Sequence, residues 1–173
     1  MNELQRLIQN LIRIGVVEAV DPKNAVCRVK TGGLTTDWLR WMTIRAGRAR
    51  TWWKPSRGEQ VLLLAIGGEL TTALVLPAIF SNDNPPPSVS DDALVTVFPD
   101  GARFEYEPDG GRLLIDGVKD VVINASEMVI SSDITINGSV THSGGDMTSN
   151  GVVVHTHQHS GVRSGSDNSG GPA

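Results

Sequence analysis

Three histidines alternate along one short segment near the end of the chain, at His155, His157 and His159. In an extended strand, side chains two positions apart point to the same face, so this spacing would align the three imidazole rings. Neutral imidazole is the commonest metal ligand in proteins, and the pattern therefore indicates a metal site. One strand rarely curls three such ligands around a single ion. A His-x-His pair from each of three chains, however, supplies six nitrogens around a threefold axis, a set that suits a six-coordinate transition metal better than zinc.

Two other interpretations of these histidines stay open on the residues alone. The first is a solvated polar strand that binds no metal. The second is a metalloenzyme centre, which would need carboxylate ligands or a general base close to the histidines. The nearest downstream acid is Asp167, in a segment rich in glycine and serine, so a catalytic centre is disfavoured. The fourth histidine, His142, has no partner at metal-ligand spacing and is predicted to lie in a turn.

The elements that must position such a tip begin with a short helix and a barrel. Apolar residues at helical spacing predict an amphipathic helix in residues 1–14. Residues 15–80 then change to short runs of β-type residues, which predict a small closed barrel of the OB type. The predicted strands are Arg13–Val20, Ala25–Thr31, Trp38–Thr43, Gln60–Ile66 and Thr71–Leu76, the first two joined by a turn at residues 21–24.

All four tryptophans fall within this barrel segment, and five basic residues surround them. The tryptophans are Trp38, Trp41, Trp52 and Trp53, and the basic residues are Arg45, Arg48, Arg50, Lys54 and Arg57. We expect the tryptophans to fill the core or the mouth of the barrel. Stacking on nucleic-acid bases is one alternative, although the acidic total argues against it. Packing of a loop on a neighbouring subunit is another.

A linker and a hairpin follow the barrel. Residues 81–93 are polar and include three consecutive prolines, Pro85–Pro87, so they are predicted to form an extended linker. Beyond it, the apolar runs Leu94–Phe98 and Ala102–Tyr106 flank Pro99-Asp100-Gly101, which predicts a hairpin.

The hairpin begins a segment, residues 94–150, whose later part repeats short β-branched runs closed by a polar and a small residue. The marker isoleucines are Ile115, Ile123, Ile130 and Ile136. Short strands at a regular period are typical of a β-solenoid or β-helix. One chain of this composition has too little apolar mass to build its own core, whereas three chains wound about a common axis would bury the isoleucines. Residues 151–173 then form the predicted tip.

The composition excludes several classes of protein. The 173-residue chain has a formal net charge of −4 and a pI of about 5.5, which is not the charge of a nucleic-acid-binding protein. Its single cysteine, Cys27, excludes a disulfide framework and a cysteine zinc site. No segment resembles a signal peptide, and no apolar run is long enough to cross a bilayer, so we expect synthesis in the cytoplasm.

Several motifs occur in a fixed order along the chain. The first are Arg13-Ile14-Gly15-Val16-Val17, Trp38-Leu39-Arg40-Trp41, Arg45-Ala46-Gly47 and Trp52-Trp53. Next come Gly58-Glu59-Gln60-Val61, Val75-Leu76-Pro77-Ala78 and Phe98-Pro99-Asp100-Gly101. The last is His157-x-His159-x-Gly161-Val162-x-x-Gly165, with Ser169 and Pro172 beyond it. This ordered series resembles the central spike proteins (baseplate assembly protein V family) of contractile-tailed phages and R-type tailocins.

The resemblance implies an all-β homotrimer with a short N-terminal helix, an OB-fold barrel, an intertwined triple-stranded β-helix as a shaft, and a metal-bound tip. It implies that one structural iron ion per trimer is held octahedrally by His157 and His159 of each chain. Aligning the tip motif on Gly161, Val162 and Gly165 selects this pair, and His155 then lies one step up the shaft. If the register shifts by two residues, the pair becomes His155 and His157.

The resemblance also implies a function and a set of partners. A central spike caps the tail tube, docks on the baseplate hub and passes through the host outer membrane when the sheath contracts. It is part of the virion and is assembled in the host cytoplasm. This role needs no enzymatic activity, no small-molecule substrate and no nucleic acid. The rival functions are a histidine-based metalloenzyme and an OB-fold nucleic-acid-binding protein, and the second would explain neither the repeats nor the histidines near the end of the chain.

Overall fold

The computed structural model describes residues 2–158 together with Gly161 and Gly165. The chain divides into two compact units, Met1–Val122 and Ile123–Ala173. The first unit contains one helix, α1, a six-stranded sheet and a three-stranded sheet, and the second contains a two-stranded hairpin. Among the described residues, no helix is long and apolar enough to cross a bilayer.

Helix α1 spans Glu3–Asn10 and is shorter than the apolar stripe predicted. It begins with a capping box, in which the Gln5 amide donates to Asn2 Oδ1 at 2.8 Å and the Gln5 side chain accepts from the Asn2 amide at 3.1 Å. It ends early because the next residues join the barrel. The carbonyl of Leu11 accepts from the amide of Ala65 at 2.9 Å, and Ile12 already begins a strand.

Six strands follow in the first sheet. They are β1 Ile12–Asp21, β2 Val26–Thr31, β3 Leu34–Thr35, β4 Leu39–Arg40, β5 Gln60–Leu64 and β6 Leu74–Ile79. The sheet has the order β3-β2-β1-β5-β6, and β4 also pairs with β2. A parallel bridge between Trp41 and Val75 joins the β4 side to β6, and the Met42 amide donates to the Val75 carbonyl at 2.7 Å. This contact closes the sheet, which confirms the predicted small barrel.

The predicted strands differ from the observed ones by more than one residue in four places. The strand predicted over Gln60–Ile66 ends at Leu64, because Ile66–Gly68 forms a 3-10 turn. The β3 strand was not expected. The strand predicted over Trp38–Thr43 is reduced to Leu39–Arg40 plus the bridge at Trp41. The strand predicted from Thr71 begins only at Leu74, because Leu70–Thr72 forms a 3-10 turn. The predicted turn at residues 21–24 is present, and the Asp21 carboxylate accepts from the amides of Lys23 and Asn24.

The barrel core is aliphatic. Its buried members are Val17, Cys27, Val29, Leu39, Val61, Leu63, Ala65, Ala73 and Val75. They occupy alternate strand positions, as expected for a barrel interior. Burial, with a smaller contribution from the charge of Glu59, raises the pKa of the Cys27 thiol to about 11, so this cysteine stays protonated at neutral pH.

The expectation that the tryptophans fill the barrel is wrong for three of the four. Only Trp41 packs against the core. Trp38 is 45% exposed, Trp52 63% and Trp53 60%. The core positions are filled by valine, leucine, alanine and cysteine side chains instead. The tryptophans therefore lie on the barrel surface, and three of them are substantially accessible to solvent.

Gly68 allows helix α1 to pack on the barrel. It has a φ of +80°, and a Cβ atom there would collide with the backbone carbonyl oxygen of Leu7 in the helix. Its neighbour Gly67 has a similar φ of +67° but open space where its Cβ would lie. The two glycines thus have similar backbone conformations, but only Gly68 lies against the backbone of the helix.

We expect Gly68→Ala to destabilise the first unit and to release the helix. Both alanine variants incur the strain of a positive φ, but only Gly68→Ala also forces two backbones apart, which adds about 1–3 kcal/mol. Thermal unfolding and limited proteolysis between residues 2 and 11 provide the measurement, with Gly67→Ala as the matched control. Equal behaviour of the two variants would contradict this account of the helix contact.

The predicted hairpin after the linker is present and has a third strand. Its strands are β7 Leu94–Val97, β8 Arg103–Glu107 and β9 Arg112–Asp116, in the order β7-β8-β9. At the turn, the Gly101 amide donates to the Phe98 carbonyl at 2.9 Å, and Gly101 has a φ of +89°. The Phe98 ring stacks on Trp53 with ring centroids 6.0 Å apart, which joins this sheet to the barrel.

The segment predicted to form the shaft has little regular secondary structure in a single chain after β9. Residues 117–147 are all described and contain neither helix nor strand, and every one of them is exposed. The marker isoleucines Ile123, Ile130 and Ile136 are 61%, 49% and 60% exposed. One chain therefore provides no core for the repeats. The intertwined triple-stranded β-helix stays a prediction, as does the division of the chain into shaft and tip at residue 150.

Candidate metal centre

A short hairpin in the second unit positions the histidine segment. Its strands are β10 Thr148–Ser149 and β11 Val152–Val153, joined through Asn150 and Gly151. Both turn residues have positive φ, 48° and 80°, which is the conformation that Asn-Gly adopts most readily in a two-residue turn. The Val154 amide donates to the Met147 carbonyl at 2.8 Å and extends the pairing by one bond.

The strand does not continue through the histidines, which corrects the expectation of one extended segment. It ends at Val153, and Val154–Thr156 form a turn in which the Thr156 amide approaches the Val153 carbonyl at 3.4 Å. His155 lies in this turn and His157 directly after it. His159, the second predicted ligand, lies outside the described residues.

His157 is oriented by the backbone of the turn. Its Nδ1 atom lies 2.7 Å from the Val154 carbonyl oxygen. A carbonyl can only accept, so Nδ1 carries the proton and donates. In the neutral ring this places the lone pair on Nε2. Orientation of one ring nitrogen by a backbone carbonyl is the usual arrangement of a metal-binding histidine, and the donor chemistry at His157 therefore fits a metal ligand.

His155 is engaged by a carboxylate of the preceding segment. Its Nε2 atom lies 3.6 Å from Asp146 Oδ1, with both side chains more than half exposed. The same ring lines an open depression of about 350 Å³ together with His142, Met147 and Val154. His142 is in no regular element and precedes a bend at Gly144 and Gly145, near the turn predicted for it. Within the described part of a single chain, no three histidine, cysteine or acidic side chains are grouped as a metal site.

The exposed tryptophans form a second surface of interest, at the barrel. Trp41 and Trp52 contact each other at a tilt, with centroids 5.7 Å apart, and Arg28 lies over the Trp38 ring at 5.9 Å. Trp41 and Trp52 line a depression of about 500 Å³ that also includes Arg40, Arg45 and Arg50. The Thr51 hydroxyl accepts from the Arg45 amide at 2.8 Å and holds the loop in shape. Aromatic and arginine side chains together are typical of protein-binding surfaces.

Comparison with known proteins identifies both ends of the chain. Residues 13–80 match the type VI secretion system/phage-baseplate injector OB domain, and residues 151–173 match the GpV apex motif. The barrel therefore matches an OB domain of the kind found in baseplate injector proteins.

A curated relative extends the match between these two regions. The chain is 55% identical over 132 residues to the spike protein of Escherichia phage P2, an alignment that covers 76% of this chain and 63% of that protein. The chain thus spans less than two thirds of the relative's length. With both family matches, this identity shows that the chain is similar to a phage baseplate spike protein over most of its length.

Sequence reasoning missed two features of these regions. The pairing of His155 with Asp146 joins residues nine positions apart, and only the Asn150-Gly151 turn signals that they face each other. The exposure of the tryptophans was also missed. The sequence did indicate this exposure for Trp52 and Trp53. The run Thr43–Lys54 has no alternating apolar pattern, so it could not supply barrel strands.

Proposed function

We propose that this protein is the central spike of a contractile injection apparatus, which caps the tail tube at the baseplate and pierces the host outer membrane when the sheath contracts. The observation that carries the proposal is the arrangement of the matched regions. An injector OB domain at residues 13–80 and an apex motif at residues 151–173 lie on either side of a segment whose aliphatic side chains have no core of their own.

The exposed segment supports a homotrimer. From Val121 to Val140 the large aliphatic residues are between about half and three quarters exposed in one chain. Leaving this surface in water is unfavourable, because burying each methylene group would stabilise the protein by about 0.8 kcal/mol. Three intertwined copies would bury these side chains along a common axis and satisfy the backbone by pairing between chains. Folding of the shaft is then coupled to assembly.

The tip is proposed to hold one structural iron ion per trimer through His157 and His159 of each chain. The fit at His157 rests on the Val154 carbonyl, which fixes the ring tautomer. His155, which lies beside Asp146, is proposed to support the ligands by hydrogen bonding. When bound, the ion supplies coordination bonds that pin three chain ends together. Since six nitrogens fill an octahedral ion, no position remains for a substrate, and the role is structural.

The barrel is proposed to be the anchor that docks on the baseplate hub and the tail tube. Its loop with Trp52, Trp53 and the neighbouring arginines is the aromatic and charged surface that such a partner requires. The shaft carries short aliphatic and small polar side chains, which suits a narrow object that crosses the outer membrane transiently. The proposed role involves no nucleic acid, no small-molecule substrate and no catalysis, and it places the protein in the virion after assembly in the host cytoplasm.

We expect native mass spectrometry of the purified chain to give three copies at every working concentration. The physical reason is that the aliphatic surface of residues 117–147 is not buried by any other described part of the chain. Retention on heparin, measured on the same sample, tests the rival nucleic-acid function and is expected to be negligible. A stable, folded monomer would contradict the proposed spike, and strong salt-dependent retention on heparin would favour the rival.

A further inference from the structure

The outer side of the barrel carries an apolar face that the proposed function does not use. Alternation along β1, β5 and β6 sends Gly15, Val61, Leu63 and Val75 inward, and their neighbours outward. The strand register aligns the outward residues in two rows. The first row is Ile12, Leu64 and Leu74, and the second is Ile14, Leu62 and Leu76. We call these six residues the outer apolar face.

Four of the six residues of this face are exposed in the single chain, and the middle ones, Leu62 and Leu64, are half-buried. Ile12 is 65% exposed and Ile14 62%, while Leu74 and Leu76 are 36% and 37% exposed. No charged or polar side chain interrupts either row. Interfaces with separate partners usually carry aromatic and arginine residues, as residues 43–54, the tryptophan loop, do. An all-aliphatic face resembles the interface of an obligate homo-oligomer instead.

Helix α1 carries a second apolar surface that its own barrel leaves uncovered. Leu7 and Asn10 lie on the side that packs on the barrel. Leu4, Ile8 and Leu11, at spacings of four and three, lie together on another side and are 65%, 57% and 43% exposed. We call these three residues the helix stripe. The capping box fixes the start of the helix, so the stripe is presented on a formed element.

We propose that the helix stripe of one chain packs on the outer apolar face of a second copy of the same chain. The inference rests on the proposed trimer. A cyclic trimer is built from head-to-tail contacts, in which each copy offers two different surfaces. The first unit offers such a pair of surfaces, and three contacts between them close a ring around the base of the spike.

The size of the two surfaces favours a tethered second copy over a separate protein. Together they expose on the order of 700 Å² per chain, which is the most that one contact between the two surfaces can bury. A separate partner needs a total of about 1,200 Å² for a stable contact. A second copy that is already held by the proposed shaft needs a smaller buried area. Its helix stripe and the outer apolar face of its neighbour then meet at a high effective concentration.

Cysteine crosslinking of the full chain tests the proposal. One cysteine is placed in the helix stripe, Ile8→Cys, and another on the outer apolar face, Leu76→Cys. A short bismaleimide is expected to convert the double variant to covalent dimers and trimers on denaturing gels, and each single variant to remain monomeric. The native Cys27 does not interfere, because it is completely buried in the barrel.

Matched variants decide between the possible occupants of the face. Ile8→Cys with Ile44→Cys, an isoleucine 79% exposed on the tryptophan loop, is the control and should not crosslink. Adding Ile14→Lys to the Ile8→Cys, Leu76→Cys chain should lower the yield of crosslinked species at least tenfold. A crosslink within one chain, or dimers of either single variant, would overturn the head-to-tail contact.

Native mass spectrometry of the same samples separates this inference from the proposed function. A trimer without the Ile8–Leu76 crosslink overturns the inference and leaves the spike intact. A monomer overturns the proposed trimer itself. If Leu76→Cys instead crosslinks to another baseplate protein in assembled particles, that protein occupies the face and the second copy does not.

Discussion

A chain with His157→Ala and His159→Ala is expected to lose its bound iron completely, from about one ion per trimer to background, while the trimer persists. The double variant removes all six proposed nitrogens, and alanine offers no replacement donor. The barrel should be unaffected, since the histidines lie in the second unit and the barrel in the first. Elemental analysis beside native mass measurement gives the ratio of iron to trimer directly.

Single variants test which two histidines are the ligands. His142→Ala is the control, because His142 is not among the proposed ligands, and it should retain the metal. His155→Ala should retain most of the iron but bind it more weakly, because the contact of His155 with Asp146 is lost. If His155→Ala removes the iron and His159→Ala does not, the register is shifted by two residues and the assignment of His159 is wrong.

The metal-free variant should also separate assembly from penetration. Counts of assembled particles are expected to match the wild type, whereas productive penetrations of the host should fall, because three unpinned chain ends fray under axial load. Increased proteolysis near Val152 would report the fraying. Failure of particle assembly with a normally folded shaft would instead give the tip an assembly role.

Placing aspartate at Ile123 and Ile130 is expected to abolish the trimer. In the proposed shaft these side chains meet their symmetry mates on the axis, so each substitution buries three like charges without partners, at a cost of several kcal/mol per charge. In the single chain Ile123 is 61% exposed and Ile130 49%, so the monomer should tolerate the two substitutions. Native mass spectrometry should therefore show single chains, and hydrogen exchange should show an intact barrel.

The matched control adds the same charge to the adjacent polar positions, Asn124→Asp and Ser131→Asp. These residues are expected to face solvent in the assembled shaft, and the control should stay trimeric. A trimer in both variants would mean that Ile123 and Ile130 do not lie on the axis, which would contradict the proposed winding of the repeats.

The barrel could be predicted from the sequence because its information is local. Apolar residues at alternate positions of β1 and β2, the apolar run of β5 and the Asp21 turn fix strands whose partners lie within about 50 residues. The two-residue β3 and β4 are too short to produce a periodic pattern, so the first was missed and the second overestimated. The helix end was also misplaced, since Leu11 and Ile12 fit both the helical stripe and the start of β1.

The conformation of the histidine segment could not be predicted from the sequence. The spacing of His155 and His157 suggested a continuous strand, but a turn follows Val153 and directs His155 toward Asp146. Spacing alone cannot distinguish a strand from a turn of this length. The repeats after Ile115 show a related limit, because their partners are predicted to be other copies of the chain. Sequence periodicity indicates that they need a partner and leaves the geometry of the assembly to experiment.

The tryptophan loop is attached to the barrel at both of its ends. At one end the Met42 amide bonds to the Val75 carbonyl, and at the other the Gly58 amide bonds to the Val17 carbonyl at 2.9 Å. Pro55 is fully buried beside the second attachment, and the residues between, 43–54, are mostly exposed. In the proposed docking on the hub, this segment can change its sequence, and with it the partner it recognises, without replacing any buried core residue. Related phages could thus exchange adaptor specificity through a dozen residues, and grafting this segment alone offers a compact route to retargeting a spike between baseplates.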